Sequence, residues 1–234
     1  MNLIYTFDEN VSKNDLHKFN VIKSYYINSI NSAKKLGYTI ELYTNTSLFN
    51  EYVDVVHLVS TEYTFWDAFK TIPLLNQTNG VLIDGDIIFH TKLPNFTNEI
   101  DVYFDGWESW LDLYSKCVDE LTNLGIKNII PEWETTPQKV MNIGLLKINN
   151  LELLNLYLDR WYKMYKFCND NKHNMQYFYM CCTITSQYLL TLLSKKYNIK
   201  NISTRLGKSN GYYTHFVGNQ KYKKIPLSIK KTIL

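Results

Sequence analysis

The chain has 234 residues, of which 45% are hydrophobic and 20% charged, with a formal net charge of +3. That composition excludes a disordered or membrane-spanning chain, and the small net charge argues against nucleic acid as a partner. The length suits one α/β domain, so a single domain over residues 1–234 is expected.

The first apolar run, Leu3 to Phe7, reads as a buried strand. From about Phe19 to Leu36, Val21, Ile22, Tyr25, Tyr26, Ser29, Ile30 and Ala33 recur at helical spacing, and Gly37 supplies a stop. Thr39 to Thr44 reads as a second strand, and Val53 to Val59 as a third. A β-α-β start of this kind predicts parallel neighbours joined by a right-handed crossover. Phe65 to Leu75 reads as a helix that Pro73 shortens or bends, with Trp66, Phe69 and Lys70 near one another on its surface. Val81-Leu82-Ile83 is a strand that breaks at Asp84-Gly85-Asp86, after which Ile87-Ile88-Phe89 resumes the apolar run. Ile100 to Phe104 and Val140 to Ile148 read as strands, and Leu151 to Phe167 as an amphipathic helix. Ser186 to Lys195 reads as the last long helix, Ile199 to Ser203 as a strand, and Tyr212 to Val217 as an extended segment. Alternating strands and helices predict an α/β fold with a central, mostly parallel sheet flanked by helices.

Four cysteines, Cys117, Cys168, Cys181 and Cys182, lack the spacing of a zinc or redox motif and are read as reduced and partly buried. The N-terminus has no basic region followed by a long apolar core, and no run approaches the ~20 apolar residues that span a bilayer. The expected location is the cytoplasm, with one domain of a longer chain left open. The segment from Lys221 to Lys231 is basic with interspersed apolar residues, so a tail over about 222–234 would give weak contact with an anionic membrane surface or simply be solvated.

Asp84 and Asp86 stand at the carboxyl end of a core strand, where open α/β sheets bind ligands. Unpaired burial of both would be costly, and a divalent cation would remove that cost, with Gly85 allowing the tight turn. A surface turn is the plainer alternative, although the flanks VLI and IIF are core-like. This strand and its Asp-x-Asp resemble the GT-A glycosyltransferases, which have a Rossmann-like fold and hold a metal against a nucleotide diphosphate at that motif. Thr214-His215-Phe216-Val217-Gly218-Asn219-Gln220-Lys221 resembles the His-Phe-x-Gly-x-x-Lys segment of family 8, the glycogenin-like enzymes. The resemblance implies that His215 completes the metal site with Asp84 and Asp86, while Gly218 and Lys221 meet the diphosphate. The family's Pro-Trp after that Lys is replaced here by Tyr222-Lys223.

Asn142, in Met141-Asn142-Ile143-Gly144, is similar to the family's Asn that faces sugar or acceptor; a strand with a Gly bulge is the alternative. Gln187 matches half of the family's Asp-Gln pair, with Ser186 in place of the Asp. Lys70 falls where related enzymes carry a basic residue, and a solvated helix lysine is the competing reading. The same resemblance implies that Tyr5, Thr6 and Phe7 line a base pocket, with Tyr5 as stacking partner. Asp105 and Glu108, in FDGWES, are candidate bases or sugar-hydroxyl partners, and Trp107 or Trp110 would stack on a sugar face. Glu132 and Glu134 are weaker candidates.

Single-domain modules of this kind also occur among large DNA viruses, which would place this one in the host cytoplasm. The implied activity is transfer of a sugar from a nucleotide diphosphate sugar, uridine-based by resemblance, to a hydroxyl of a glycan or protein, with Mn²⁺ or Mg²⁺ as cofactor. Competing readings are a phosphohydrolase of the haloacid dehalogenase class, with Asp84 as nucleophile, and a non-catalytic carbohydrate-binding protein on the same fold.

Overall fold

The computed structural model describes residues 1–11, 15–59, 66–75, 79–109, 112–135, 139–204 and 211–216. In chain order its elements are β1 (Asn2–Phe7), α1 (Leu16–Lys35), β2 (Thr39–Thr44), β3 (Val55–Leu58), α2 (Trp66–Leu75), β4 (Val81–Ile83) and β5 (Ile87–Phe89). They continue with β6 (Val102–Ser109), α3 (Asp112–Asn123), β7 (Lys139–Ile148), α4 (Leu151–Asn171), α5 (Phe178–Lys196), β8 (Asn201–Ser203) and β9 (Tyr213–His215). The fold is α/β with mostly parallel strand pairing and flanking helices. It divides into two compact units, one holding Met1–Asn95 and the C-terminal segment that contains β9, the other Phe96–Thr204.

In the first unit the strand order is β3-β2-β1-β4, every pair parallel. Asp15 caps α1 by accepting from the Lys18 amide at 3.0 Å, and Gly37, at φ +79°, lets the chain leave the helix. The buried face of α1 carries Val21, Tyr25, Tyr26, Ile30 and Ala33, as its helical period predicts. Phe7 of β1 meets Tyr26 and Phe49 edge-on, with ring centroids 5.0 and 4.7 Å away, so an aromatic core lies under the end of β1. Among the described residues no helix is long and apolar enough to cross a membrane.

In the second unit the order is β7-β6-β8, with β6–β7 antiparallel and β6–β8 parallel. Here the sequence expectations need three corrections. β6 runs through FDGWES to Ser109 instead of ending at Phe104, because the register shifts between Phe104 and Gly106 and pairing with β7 then resumes. α3 was not anticipated, although Tyr114, Cys117, Val118 and Leu121 bury one face at helical spacing. α5 begins at Phe178, not Ser186, because Glu120 of α3 accepts from the Gln176 and Tyr177 amides at 2.6 and 3.1 Å and so caps the helix from another element. Cys117, Cys168 and Cys181 are buried thiols in this unit.

Glu132 and Glu134 have structural roles. Glu132 accepts two hydrogen bonds from Arg160, at 2.9 and 3.0 Å, and a third from Tyr197 at 3.2 Å. Glu134 pairs with Lys195 at 2.9 Å. The Arg160 hydrogen bonds hold the Glu132 carboxyl below its ordinary 4.5. A depressed carboxylate adds stability above its unfolded pKa and loses that contribution as pH falls through the folded value. The expected outcome is a Glu132→Gln variant less stable at pH 7 by on the order of 2 kcal/mol. Its melting temperature, measured from pH 7 downward, should decline less steeply below the ordinary 4.5 than that of the unaltered protein.

Candidate functional site

β4 is buried at Val81, Leu82 and Ile83, and the chain leaves it directly into Asp84-Gly85-Asp86. The turn closes with the Ile87 amide donating to the Asp84 carbonyl at 3.2 Å. β5 then pairs antiparallel with β9, placing Ile87 opposite His215 and Phe89 opposite Tyr213. The Phe216 amide, donating to the Asp86 carbonyl at 3.1 Å, extends the ladder past the turn. This register brings a residue near the C-terminus against the acidic turn, and a slip of one residue would send the imidazole to the opposite face.

His215 Nε2 lies 3.2 Å from Asp86 Oδ1 and 3.9 Å from Asp84 Oδ2, with only 3% of the His215 side chain exposed. Lys70 of α2 reaches the same cluster, its ammonium 2.6 Å from Asp84 Oδ1. The lysine is buried, so the solvated-helix reading fails for it. Its bond engages one oxygen of Asp84 and leaves Oδ2 on the side of His215.

One ligand atom from each of Asp84, Asp86 and His215 can be chosen so that all lie within 4.8 Å of one another. A hard divalent ion bound octahedrally at ~2.1 Å separates neighbouring ligand atoms by ~3.0 Å and opposite ones by ~4.2 Å. The spacings of 3.2 and 3.9 Å fall in that range, and two carboxylates with one imidazole form a donor set that a divalent metal ion can occupy. The residues therefore fit the ion.

Gly85 is required for a reason other than turn geometry, since its backbone is not in the left-handed region. A Cβ there would stand 2.2 Å from the ring of Tyr26. Tyr26 is held in place by donating to the Thr6 carbonyl at 2.6 Å, and burial pushes its phenol well above the ordinary range, with Asp84 and Asp86 adding to the effect. Two serines of α1 bond the main chain of β5. Ser29 donates to the Ile87 carbonyl, and Ser32 accepts from the Phe89 amide at 3.0 Å.

Tyr5 is wholly buried, and its hydroxyl lies 2.9 Å from Ser29 Oγ. Its ring has no face for a base and works instead as a strut between β1 and α1. Thr6 and Phe7 are also buried, so any contact they make with a nucleotide comes from their backbone. At the end of that strand Asp8, which sequence reasoning passed over, accepts from the Asn10 amide at 2.9 Å and from Asn45 Nδ2 at 2.8 Å.

The second unit joins three of the expected residues. Asn142 donates to Glu108 Oε1 at 2.5 Å, and Tyr114 Oη lies 2.9 Å from Glu108 Oε2 and 3.0 Å from Gln187 Oε1. Asn142 Oδ1 in turn accepts from the Gly144 amide at 2.7 Å, inside the irregular part of β7. Tyr114, the link, was missed because α3 was not recognised. Asp105 is fully buried at the β6 register shift, which is no place for an accessible base. Trp107 is 46% exposed and meets Phe104 edge-on. Gly218, Lys221, Trp110 and the basic tail lie outside the described residues.

No family model matches the chain, and no curated protein does. Among solved structures the chain is similar to the galactosyltransferase LgtC in complex with donor and acceptor sugar analogues. The likeness has a TM-score of 0.45 and 11% identity, covering 100% of this chain and 95% of that one. At that score it adds nothing to the side-chain geometry above.

The fit of Gly85 under Tyr26 is open to test. Gly85→Ala should cost about 2 kcal/mol, a fall of about 5 °C in melting temperature for a chain of this size. Combined with Tyr26→Leu, the loss should be smaller than the sum of the single losses. Additive losses in thermal unfolding would place the cost elsewhere.

Proposed function

We propose that this chain is a metal-dependent glycosyltransferase of the GT-A type, similar to family 8. It would move a sugar from a nucleotide diphosphate sugar, a uridine nucleotide by resemblance, to a hydroxyl of a glycan or protein. The observation that carries the reading is the assembly of Asp84, Asp86 and His215 by β5–β9 pairing at the carboxyl end of β4. Parallel β3-β2-β1-β4 order supports it, since crevices beyond the carboxyl ends of such strands are where α/β folds take nucleotides. We further propose that residues 1–234 work as one domain in the cytoplasm, with the segment after β9 supplying Gly218 and Lys221 to the diphosphate.

Asp84 Oδ2, Asp86 and His215 would hold Mn²⁺ or Mg²⁺, and the bound ion would stabilise negative charge on the departing diphosphate as a Lewis acid. Lys70 fixes the Asp84 carboxylate by occupying Oδ1, so that carboxylate is pre-oriented and needs little reorganisation when a ligand arrives. Tyr26, packed over Gly85, keeps water from the rear of the turn. Lys221 would bring a second positive group to the leaving diphosphate.

The test is release of free nucleotide diphosphate from a panel of sugar nucleotides, with Mn²⁺ and with chelator. Release should depend on the metal and fall by at least about a hundredfold in Asp86→Ala and His215→Ala, while both variants keep the far-UV circular dichroism of the unaltered protein. Undiminished release in both variants would defeat the assignment. Turnover of simple phosphomonoesters instead would identify a phosphohydrolase.

A further inference from the structure

The polar chain in the second unit can be resolved by counting hydrogens. Its fixed end is the Gly144 amide, which can only donate, so the atom of Asn142 that meets it at 2.7 Å is the carbonyl Oδ1. Asn142 must then turn its NH₂ toward Glu108, and Glu108 Oε1 accepts at 2.5 Å. An ionised carboxylate has no hydrogen to give, so the contact of 2.9 Å between Tyr114 Oη and Glu108 Oε2 uses the one hydrogen that a tyrosine hydroxyl carries. The same hydroxyl meets the Gln187 amide at 3.0 Å, at the position assigned to Oε1. Two acceptors cannot share one hydrogen at full strength. The two ends of an amide are nearly isosteric, so the hydrogen count decides which end faces Tyr114, and it selects the NH₂.

We propose that Tyr114 is a positioning residue. Its single hydrogen, held by Glu108, obliges Gln187 to bond through the amide nitrogen, which turns the Gln187 carbonyl oxygen away from Tyr114 to accept from a hydroxyl of a carbohydrate substrate. Two fixed points set the directions: the Gly144 amide orients Asn142, the Glu108 carboxylate takes hydrogens from Asn142 and Tyr114, and the proposed turn of the amide then has Gln187 giving to Tyr114. The frame under this chain is firm, since the Met141 amide donates to Thr191 Oγ1 at 2.9 Å and Thr191 donates to the Gln187 carbonyl of the main chain at 2.9 Å. Assigning a carbohydrate hydroxyl as the group received rests on the glycosyl-transfer reading; the amide orientation does not.

Glu108→Gln is the discriminating variant because it keeps every heavy atom in place. Its carbonyl must still face Asn142, so its new NH₂ faces Tyr114, whose hydroxyl then has to give its hydrogen to Gln187, and the Gln187 amide turns over. The experiment follows hydrogen exchange of the Gln187 side-chain amide by NMR on the whole chain labelled with ¹⁵N, the signal being identified by its disappearance in Gln187→Met. In the unaltered protein one of the two hydrogens should be protected, and that protection should fall at least about tenfold in both Glu108→Gln and Tyr114→Phe. Unchanged protection in Glu108→Gln, or none in the unaltered protein, would overturn the proposal. The kinetic arm uses whichever sugar nucleotide is turned over: kcat should fall on the order of ten- to a hundredfold in both variants with KM within about twofold. Unchanged kcat in both would remove the role in transfer. A protected amide in a protein that turns over no sugar nucleotide would instead retire glycosyl transfer and leave the orientation standing.

Discussion

The first unit depends on a short antiparallel pairing. β5 and β9 are three residues each, too little ladder to hold itself, yet the pairing sets Ile87 opposite His215 and so decides whether the cluster exists. α1 supplies what the ladder lacks. Ser29 and Ser32 bond the main chain of β5 at Ile87 and Phe89, while Tyr25 packs its ring against Phe216. The strand pair is thus bonded along one edge by the helix, and the position of the imidazole follows from that bracing of the main chain.

Charge explains why this arrangement is worth building. Asp84, Asp86, Lys70 and His215 sit largely out of water, and with both carboxylates ionised and the imidazole neutral the four side chains sum to a formal −1. A lone carboxylate pair in that setting would be expensive, and the Lys70 ammonium offsets half of it. The remaining negative charge is the electrostatic argument for a cation, and His215 rather than a second lysine in the remaining place leaves the cluster able to receive one. Gly85 enters the same logic through sterics: only a residue without Cβ lets the Tyr26 ring close the rear of the turn.

Sequence pattern revealed the first unit well, because its elements are built from contiguous runs. β2 was bounded at Thr39 and Thr44, β4 and β5 flank the acidic turn as expected, and Gly37 ends α1 at a positive φ. The second unit was less legible for a physical reason: its boundaries are set by partners distant in sequence. Glu120 caps α5 from α3, and no residue beside Phe178 announces the helix start. FDGWES looks like a loop because Asp and Gly interrupt it, whereas pairing with β7 carries the strand through. Tyr5 illustrates the opposite error. The resemblance made its ring a stacking partner, but β1 is buried continuously from Leu3 to Phe7, and Ser29, read only as a small residue on an apolar face, is its hydroxyl's partner.

The register shift in β6 ties these observations together. Between Phe104 and Gly106 one strand advances two residues while its partner advances four, from Leu146 to Asn142. Such an irregularity leaves main-chain groups of β7 without ladder partners, and the Asn142 side chain takes one of them by accepting from Gly144. That bond fixes which end of the Asn142 amide faces Glu108. The same orientation is the one that lets the Asn142 NH₂ give to Glu108, so the main chain and the carboxylate select one amide rotamer together. The register shift therefore reinforces the direction that the Glu108 carboxylate sets, and the same irregularity that carries β6 past Phe104 holds the residues beside it in order.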